Sequence, residues 1–266
     1  MERETITSRD NARLVNARKV RDGKMRDHVF VEGRRLVEEA LRSSVVLDEC
    51  FAAESFGGAE LLDNIASRCE VRRVADRLFA SIADTDTPQG IVVIAQRPTA
   101  TLADIDVAGA DVPLVLFLKE INNPSNLGAT FRTAEAAGIA GVITSSGSAD
   151  AFSPKAMRAA MGSNLRLRAV EGVTFDDAIK WARQNGLVTT ATAADGALSY
   201  VDIDWKQPRL VVLGSESHGL SDRELAAFDA TVSISMANDV ESLNVGVAAG
   251  VMLFEARRQR VSDTKT

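Results

Sequence analysis

The stretch Leu114–Gly138, LVLFLKEINNPSNLGATFRTAEAAG, decides how its half of the chain is built. Its first residues, Leu114–Ile121, form an apolar run of the length and composition of a buried strand. Pro124, Ser125 and Gly128 then supply turn chemistry, good helix formers follow, and Gly138 stops the helix. A helix entered in this way presents unpaired N–H groups and a partial positive charge at its start. Arg132, read as lying one turn inside, adds a permanent forked cation. That combination suits a phosphate, and its plain alternative is a surface salt bridge.

The same alternation continues outward. Runs at Gly141–Ser145, Leu187–Ala191, Leu210–Leu213 and Val232–Ile234 read as further strands between helices, which predicts a mostly parallel sheet covered on both faces. Ligands of such sheets bind at the carboxyl ends of the strands. Upstream, strands at Val45–Ala52, Val71–Val74 and Ile91–Ala95 with helices at Arg34–Arg42 and Glu60–Arg68 predict a small α/β/α unit. Residues 98–112 are rich in turn formers and small side chains and read as a linker, giving domains at 1–97 and 113–266. The phosphate loops G-x-G-x-x-G and G-x-x-x-x-G-K-[ST] are missing, which disfavours a nucleotide-dependent oxidoreductase.

Composition narrows the chemistry further. With 266 residues and 45% hydrophobic content the chain can build sizeable cores. No run approaches a membrane span, and MERETITSRDNAR lacks an apolar signal segment, so a cytoplasmic protein is expected. Cys50 and Cys69 lack C-x-x-C spacing and only His28 and His218 offer imidazoles, which argues against a metal site and leaves a Ser-His-Asp hydrolase resting on His218 alone. The net charge of −6 opposes a protein coated in nucleic acid. Arginines nevertheless crowd the first forty-odd residues, from Arg3 to Arg42, and predict either a local basic face or a solvated helix face.

Three motifs carry a family resemblance. Asn126, Gly128, Ala129, Arg132 and Thr133 fill N-x-G-A-x-x-R-T, and Arg209–Leu220, RLVVLGSESHGL, is similar to L-G-x-E-x-x-G-L. Val232–Ala249, VSISMANDVESLNVGVAA, is similar to a strand, an acidic loop and the S-L-N-V that opens a last helix. In this order they resemble the SpoU/TrmH family of S-adenosylmethionine-dependent RNA ribose 2′-O-methyltransferases. Ser8, Asn11, FVEGRRLVEEAL and TPQGIVVIA resemble that family's substrate-binding domain.

The resemblance implies a SPOUT-type parallel sheet with a deep trefoil knot, preceded by the small α/β/α substrate-binding domain. It implies S-adenosyl-L-methionine as cofactor, held around Leu213, Gly214, Ile234, Met236 and Leu243, with no metal. Arg132 becomes the catalytic residue, as general base or as phosphate clamp, with Asn126, Glu216, Ser242 and Asn244 as polar partners. RNA is the implied substrate, ribosomal ahead of transfer RNA, and the protein is expected to be a homodimer. A non-catalytic RNA-binding protein on the same fold is the alternative. Residue by residue, plainer readings stand beside these: Asn126 as a turn former, Ser242 as a helix cap, Ile234 and Leu243 as core. The sequence departs from the family pattern at Asn123-Pro124-Ser125 in place of Asp-Pro-His, at Ser235 in place of Pro and at Gly246 in place of Ser.

Overall fold

The computed structural model describes residues 5–109, 112–215, 218–238 and 240–261. They form two compact units, one running to Pro98 and including Phe152–Arg166, the other comprising Thr99–Ala151 and the chain from Leu167 onward.

The first unit begins with α1 (Ala12–Arg21), capped by the Asn11 side chain accepting from the Arg13 amide. There follow β1 (His28–Glu32), α2 (Arg34–Arg42), β2 (Leu47–Ala53), α3 (Ala59–Ala66), β3 (Glu70–Val74), α4 (Asp76–Phe79) and β4 (Ile91–Gln96). The strand order is β1-β4-β2-β3, with β4 antiparallel to both its neighbours and β2 parallel to β3. Leu14, Ala17 and Val20 recur at helical spacing on α1 and bury against Phe30, Phe51, Val92 and Ile94. The arginine-rich run is therefore partly structural. Arg13 pairs with Glu49 at 2.7 Å, and Arg18 and Arg21 donate to the carbonyls of Arg9, Ser81 and Ala83.

The second unit opens with β5 (Leu114–Leu118), α5 (Pro124–Ala137) and β6 (Gly141–Ser145). The chain next contributes α6 (Pro154–Ala160) and α7 (Ser163–Arg166) to the first unit. It then continues the second through β7 (Ala169–Val173), α8 (Phe175–Gln184), β8 (Val188–Thr192), β9 (Leu198–Ser199), β10 (Arg209–Leu213), α9 (Asp222–Leu225), β11 (Ala230–Ser233) and α10 (Val245–Val261). The order is β7-β6-β5-β10-β8-β11-β9 and every pairing is parallel. A sheet of this kind is buried on both faces, and Val115, Phe117, Ile143, Leu210 and Val212 pack with Ile179 and Ala182 of α8 in its core.

Four details depart from the sequence reading. Strands β1, β7 and β9 were not anticipated. Strand β5 ends at Leu118 because the chain turns at Glu120, a non-glycine residue at φ 55°. Residues 98–112 are no bare tether: Thr101 and Asp104 close a capping box around a 3-10 turn, and Ile105 joins the core of the second unit. Helix α5 starts at Pro124, with Gly128 inside it, so Arg132 lies eight residues past the start, more than two turns in rather than one. Among the described residues no helix is long and apolar enough to cross a membrane.

Candidate active site

The first two motifs lie at the carboxyl ends of adjacent strands, β5 and β10, and the third, which leaves β11 on the far side of β8, is joined to the first through α10. Strand β10 lies beside β5 with Leu213 opposite Leu118, and beyond the ladder the Lys119 amide donates to the Leu213 carbonyl at 2.9 Å. Asn123 caps α5, its side chain accepting from the amides of Ser125 and Asn126. Asn in place of the family's Asp thus keeps the cap, since either side chain offers the accepting oxygen. Pro124 stands at the first helical position, where its missing N–H costs nothing.

Helix α10 packs along α5 through small residues. A Cβ added at Gly246 would lie 3.3 Å from Asn244 Oδ1 and 3.5 Å from Thr130 Oγ1, and one at Gly250 3.6 Å from Thr133 Cγ2. The glycine at 246, a departure from the family pattern, fits this close approach. Asn244 joins the helices: its Nδ2 donates to Asn126 Oδ1 at 3.0 Å while its Oδ1 accepts from the Gly246 amide at 2.9 Å. The cap of α10 is therefore Asn244 and not Ser242, which is exposed. The buried Thr130 hydroxyl completes the junction by donating to the Asn126 carbonyl.

Gly214 sits where no other residue fits. An added Cβ would come within 2.5–2.8 Å of main-chain atoms of Gly219 and Leu220, because Ser215 and Gly219 exchange hydrogen bonds and fold the turn back. Ile234, Met236 and Leu243 are half-buried, and none of their main-chain amides or carbonyls bonds to another described residue. Half-buried unpaired backbone groups around a glycine turn are what an adenosine edge would satisfy, so these residues fit a nucleoside cofactor. Leu213 is buried and its carbonyl already accepts from Lys119. Glu216 lies outside the described residues.

Arg132 is exposed on α5 and forms no ion pair or hydrogen bond with a described residue. Toward the described residues its donors are unspent, which leaves them open to a ligand. So deep in the helix it no longer feels the dipole of the start, which fades within the first turn.

Lys119 and Glu224 escaped the sequence reading. Their ion pair, 2.9 Å long and mostly shielded, ties the end of β5 to α9. Burial alone would raise the Glu224 carboxyl, but hydrogen bonds from Ser221 and Lys119 outweigh it and hold the group below its ordinary value. Ser221-x-x-Glu224 is a legible capping box, whereas the partner 105 positions upstream is not. Burial pushes the Cys50 thiol up and the Cys69 thiol up to about 11, which keeps both protonated and unreactive. Among the described residues no three His, Cys, Asp or Glu side chains converge on a metal position.

Comparison with known proteins agrees with this geometry. The SpoU rRNA Methylase family matches residues 113–254, and an MRM3-like substrate binding domain matches residues 11–93. The chain is 32% identical over 265 residues to an uncharacterized tRNA/rRNA methyltransferase of Synechocystis sp., covering 96% of this chain and 94% of that protein. It is 27% identical over 255 residues to the 23S rRNA (guanosine(2553)-2′-O)-methyltransferase RlmP of Bacillus subtilis, covering 95% and 98%. The crystal structure of an AdoMet-bound rRNA methyltransferase from Sinorhizobium meliloti superposes with a TM-score of 0.85 at 29% identity, over 96% of this chain and 97% of that one.

Proposed function

This chain belongs to the SpoU rRNA methylase family, and we propose on that premise that it methylates a ribose 2′-hydroxyl of ribosomal RNA with S-adenosyl-L-methionine, using Arg132 to hold the substrate. When bound, the cofactor supplies a methyl group on a positively charged sulfur that departs as a neutral thioether. The protein's work is orientation: the attacking oxygen must lie in line with that methyl.

The observation that carries this reading is the 3.0 Å bond from Asn244 to Asn126, which joins the first and third motifs beside the turn of the second. Through it the segment holding Ile234, Met236 and Leu243, which we assign with Leu213 and Gly214 to the cofactor, is fixed against the helix that presents Arg132. Arg132 acts as a clamp on the phosphate beside the reacting ribose. Its exposure and the absence of a carboxylate partner among the described residues support that role, which needs only the charged state. Asn126 and Asn244 orient the junction, and Ser242 and Glu216 are assigned to the substrate edge of the site. We further assign RNA recognition to residues 1–97 with Phe152–Arg166, methyl transfer to the second unit, and the cytoplasm as the compartment. The family resemblance further implies a knotted C-terminal segment, which we propose for this chain as well.

Mapping ribose methylation by mass spectrometry in ribosomal RNA from cells with and without the protein tests the activity, and an identical methylation pattern in both would refute it. We also propose a homodimer. The small-residue face of α10 is spent on α5, but Val247, Phe254 and Val261, seven residues apart and about half exposed, leave an apolar stripe on its other side. Phe254→Asp should convert the dimer to a species near 28.5 kDa by light scattering, and a monomeric unmodified protein would dismiss the assignment.

A further inference from the structure

The first unit contains a groove of about 650 Å³ between the start of α2, the loop after β2 and the loop before β4, none of it used by the transfer chemistry. Arg34, Arg35 and Arg42 line it with Phe56 and Gln89. Its two glutamates are already engaged, Glu38 with Arg34 at 3.2 Å and Glu39 with Arg42 at 2.7 Å and Arg166 at 2.5 Å. Three guanidinium groups line the groove against two carboxylates, which leaves a net positive wall, and Arg35 has no ion-pair partner among the described residues. Arginines in the first turn of a helix oppose the dipole, which favours anions there, so an anionic ligand would remove an unfavourable local interaction.

The remaining walls specify more than charge. Phe56 is half-buried, braced by Gly58 and Gly90, at each of which an added Cβ would meet its ring, at 2.7 and 3.6 Å. It packs in part against the core of the first unit and also lines the groove, which brings an aromatic ring to the groove wall. Gln89 spends its carbonyl oxygen on the Arg34 amide at 2.8 Å, which fixes the side chain and leaves its amide donors for a ligand. The frame is preformed. Arg73 donates to the carbonyls of Ala53 and Phe56, and the buried Glu32 carboxylate accepts from the amides of Asp84 and Thr85.

We propose that this groove takes one unpaired nucleotide of the RNA substrate, its phosphate on Arg35, its base on Phe56 and a base edge against Gln89. This rests on the reading of the chain as an RNA methyltransferase and adds a subsite that requires single-stranded RNA, because a paired base has no free face for the ring.

The test uses the full-length protein and fluorescence anisotropy with a labelled 12-nucleotide single-stranded RNA that cannot pair with itself, and with the same strand annealed to its complement. The single strand should bind more tightly than the duplex. Phe56→Leu, which keeps the apolar volume, should weaken single-strand binding by at least about fivefold, the low end for losing one stacked base, with the salt dependence unchanged. Arg35→Ala, on an exposed position, should reduce the slope of log affinity against log salt by about 0.7, the value for one phosphate contact on a single strand. Equal binding of duplex, or wild-type affinity in both variants, would overturn the proposal. Competition by adenosine monophosphate as effective as by the oligonucleotide would overturn it too, in favour of a free nucleotide. Calorimetry with S-adenosylmethionine on the same proteins separates the two readings: donor binding with normal transfer but no effect of either variant removes the groove alone. Wild type that binds the oligonucleotide as described but no donor removes the methyltransferase reading alone.

Discussion

Helices α2 and α5 both leave the end of a buried strand and both show arginine to solvent, yet they handle it in opposite ways. In α2 the arginines stand in the first and last turns, and two of the three lean on glutamates three or four residues away, Arg34 on Glu38 and Arg42 on Glu39. In α5 the first turn carries no charge, Asn123 does the capping, and Arg132 stands mid-helix without an ion pair to a described residue. Exposed pairs of the first kind are worth little and exchange readily with phosphate. A guanidinium without a partner among the described residues, on a capped and packed helix, is free to offer a bidentate fork. The first arrangement suits graded, salt-sensitive affinity, and the second suits one geometric task.

The largest expected effect tests that contrast directly. Arg132→Ala should slow single-turnover methyl transfer by at least about a hundredfold, the low end for a positioned catalytic group, while calorimetry finds donor affinity nearly unchanged. Arg132→Lys should fail as well, since a point charge lacks the planar fork. Arg34→Ala should leave the single-turnover rate at saturating RNA untouched, and a loss there equal to that of Arg132→Ala would break the comparison. Next comes the mounting of α5. Asn244→Ala removes a helix cap, costing about 1 kcal/mol of stability, and also the bond to Asn126, so donor binding measured by calorimetry should weaken with it. Donor affinity equal to wild type would show that α5 holds its position without α10.

A third, smaller effect is acid sensitivity at the foot of α5. Because Glu224 titrates below its ordinary value in the folded protein, its contribution is complete above the unfolded value of about 4.3 and is lost as pH falls through the depressed folded one. Thermal melting between pH 6 and pH 3 should show this loss, and Glu224→Gln should flatten the dependence. An unchanged slope in that variant would show that other carboxylates carry it. The smallest effect returns to α2. Glu38→Gln frees Arg34, and affinity for single-stranded RNA should rise slightly at low salt and not at high salt; a fall would mean that Glu38 holds Arg34 in its binding position.

What was legible in the sequence follows from where the information lies. The motif order, the strand-helix alternation and the apolar runs of β5, β6 and β10 are local patterns, and they were readable. Strand β1, HVFVE, was hidden because charged neighbours on both sides resemble a surface segment, although four of its five residues are buried. Strand β7 carries Glu171 and a glycine at φ 74°, both signals for a loop. The start of α5 was misjudged because Gly128 reads as a breaker, whereas in the structure it is buried inside the helix. The bond between Asn126 and Asn244 spans 118 positions, and no periodicity in one chain announces a contact of that range. The groove was equally hidden, since its walls come from three separated loops and helices.

That long-range bond also bears on biosynthesis. Helix α5 is made well before its partner: the amide that fixes Asn126 arrives only with Asn244, after 118 further residues, and closing so long a loop carries an entropic cost that the packing of α10 on α5 must offset. A chain cut short before that point can display the arginine without the fixed junction beside it. The junction therefore forms only once synthesis has reached Asn244, long after α5 itself can fold.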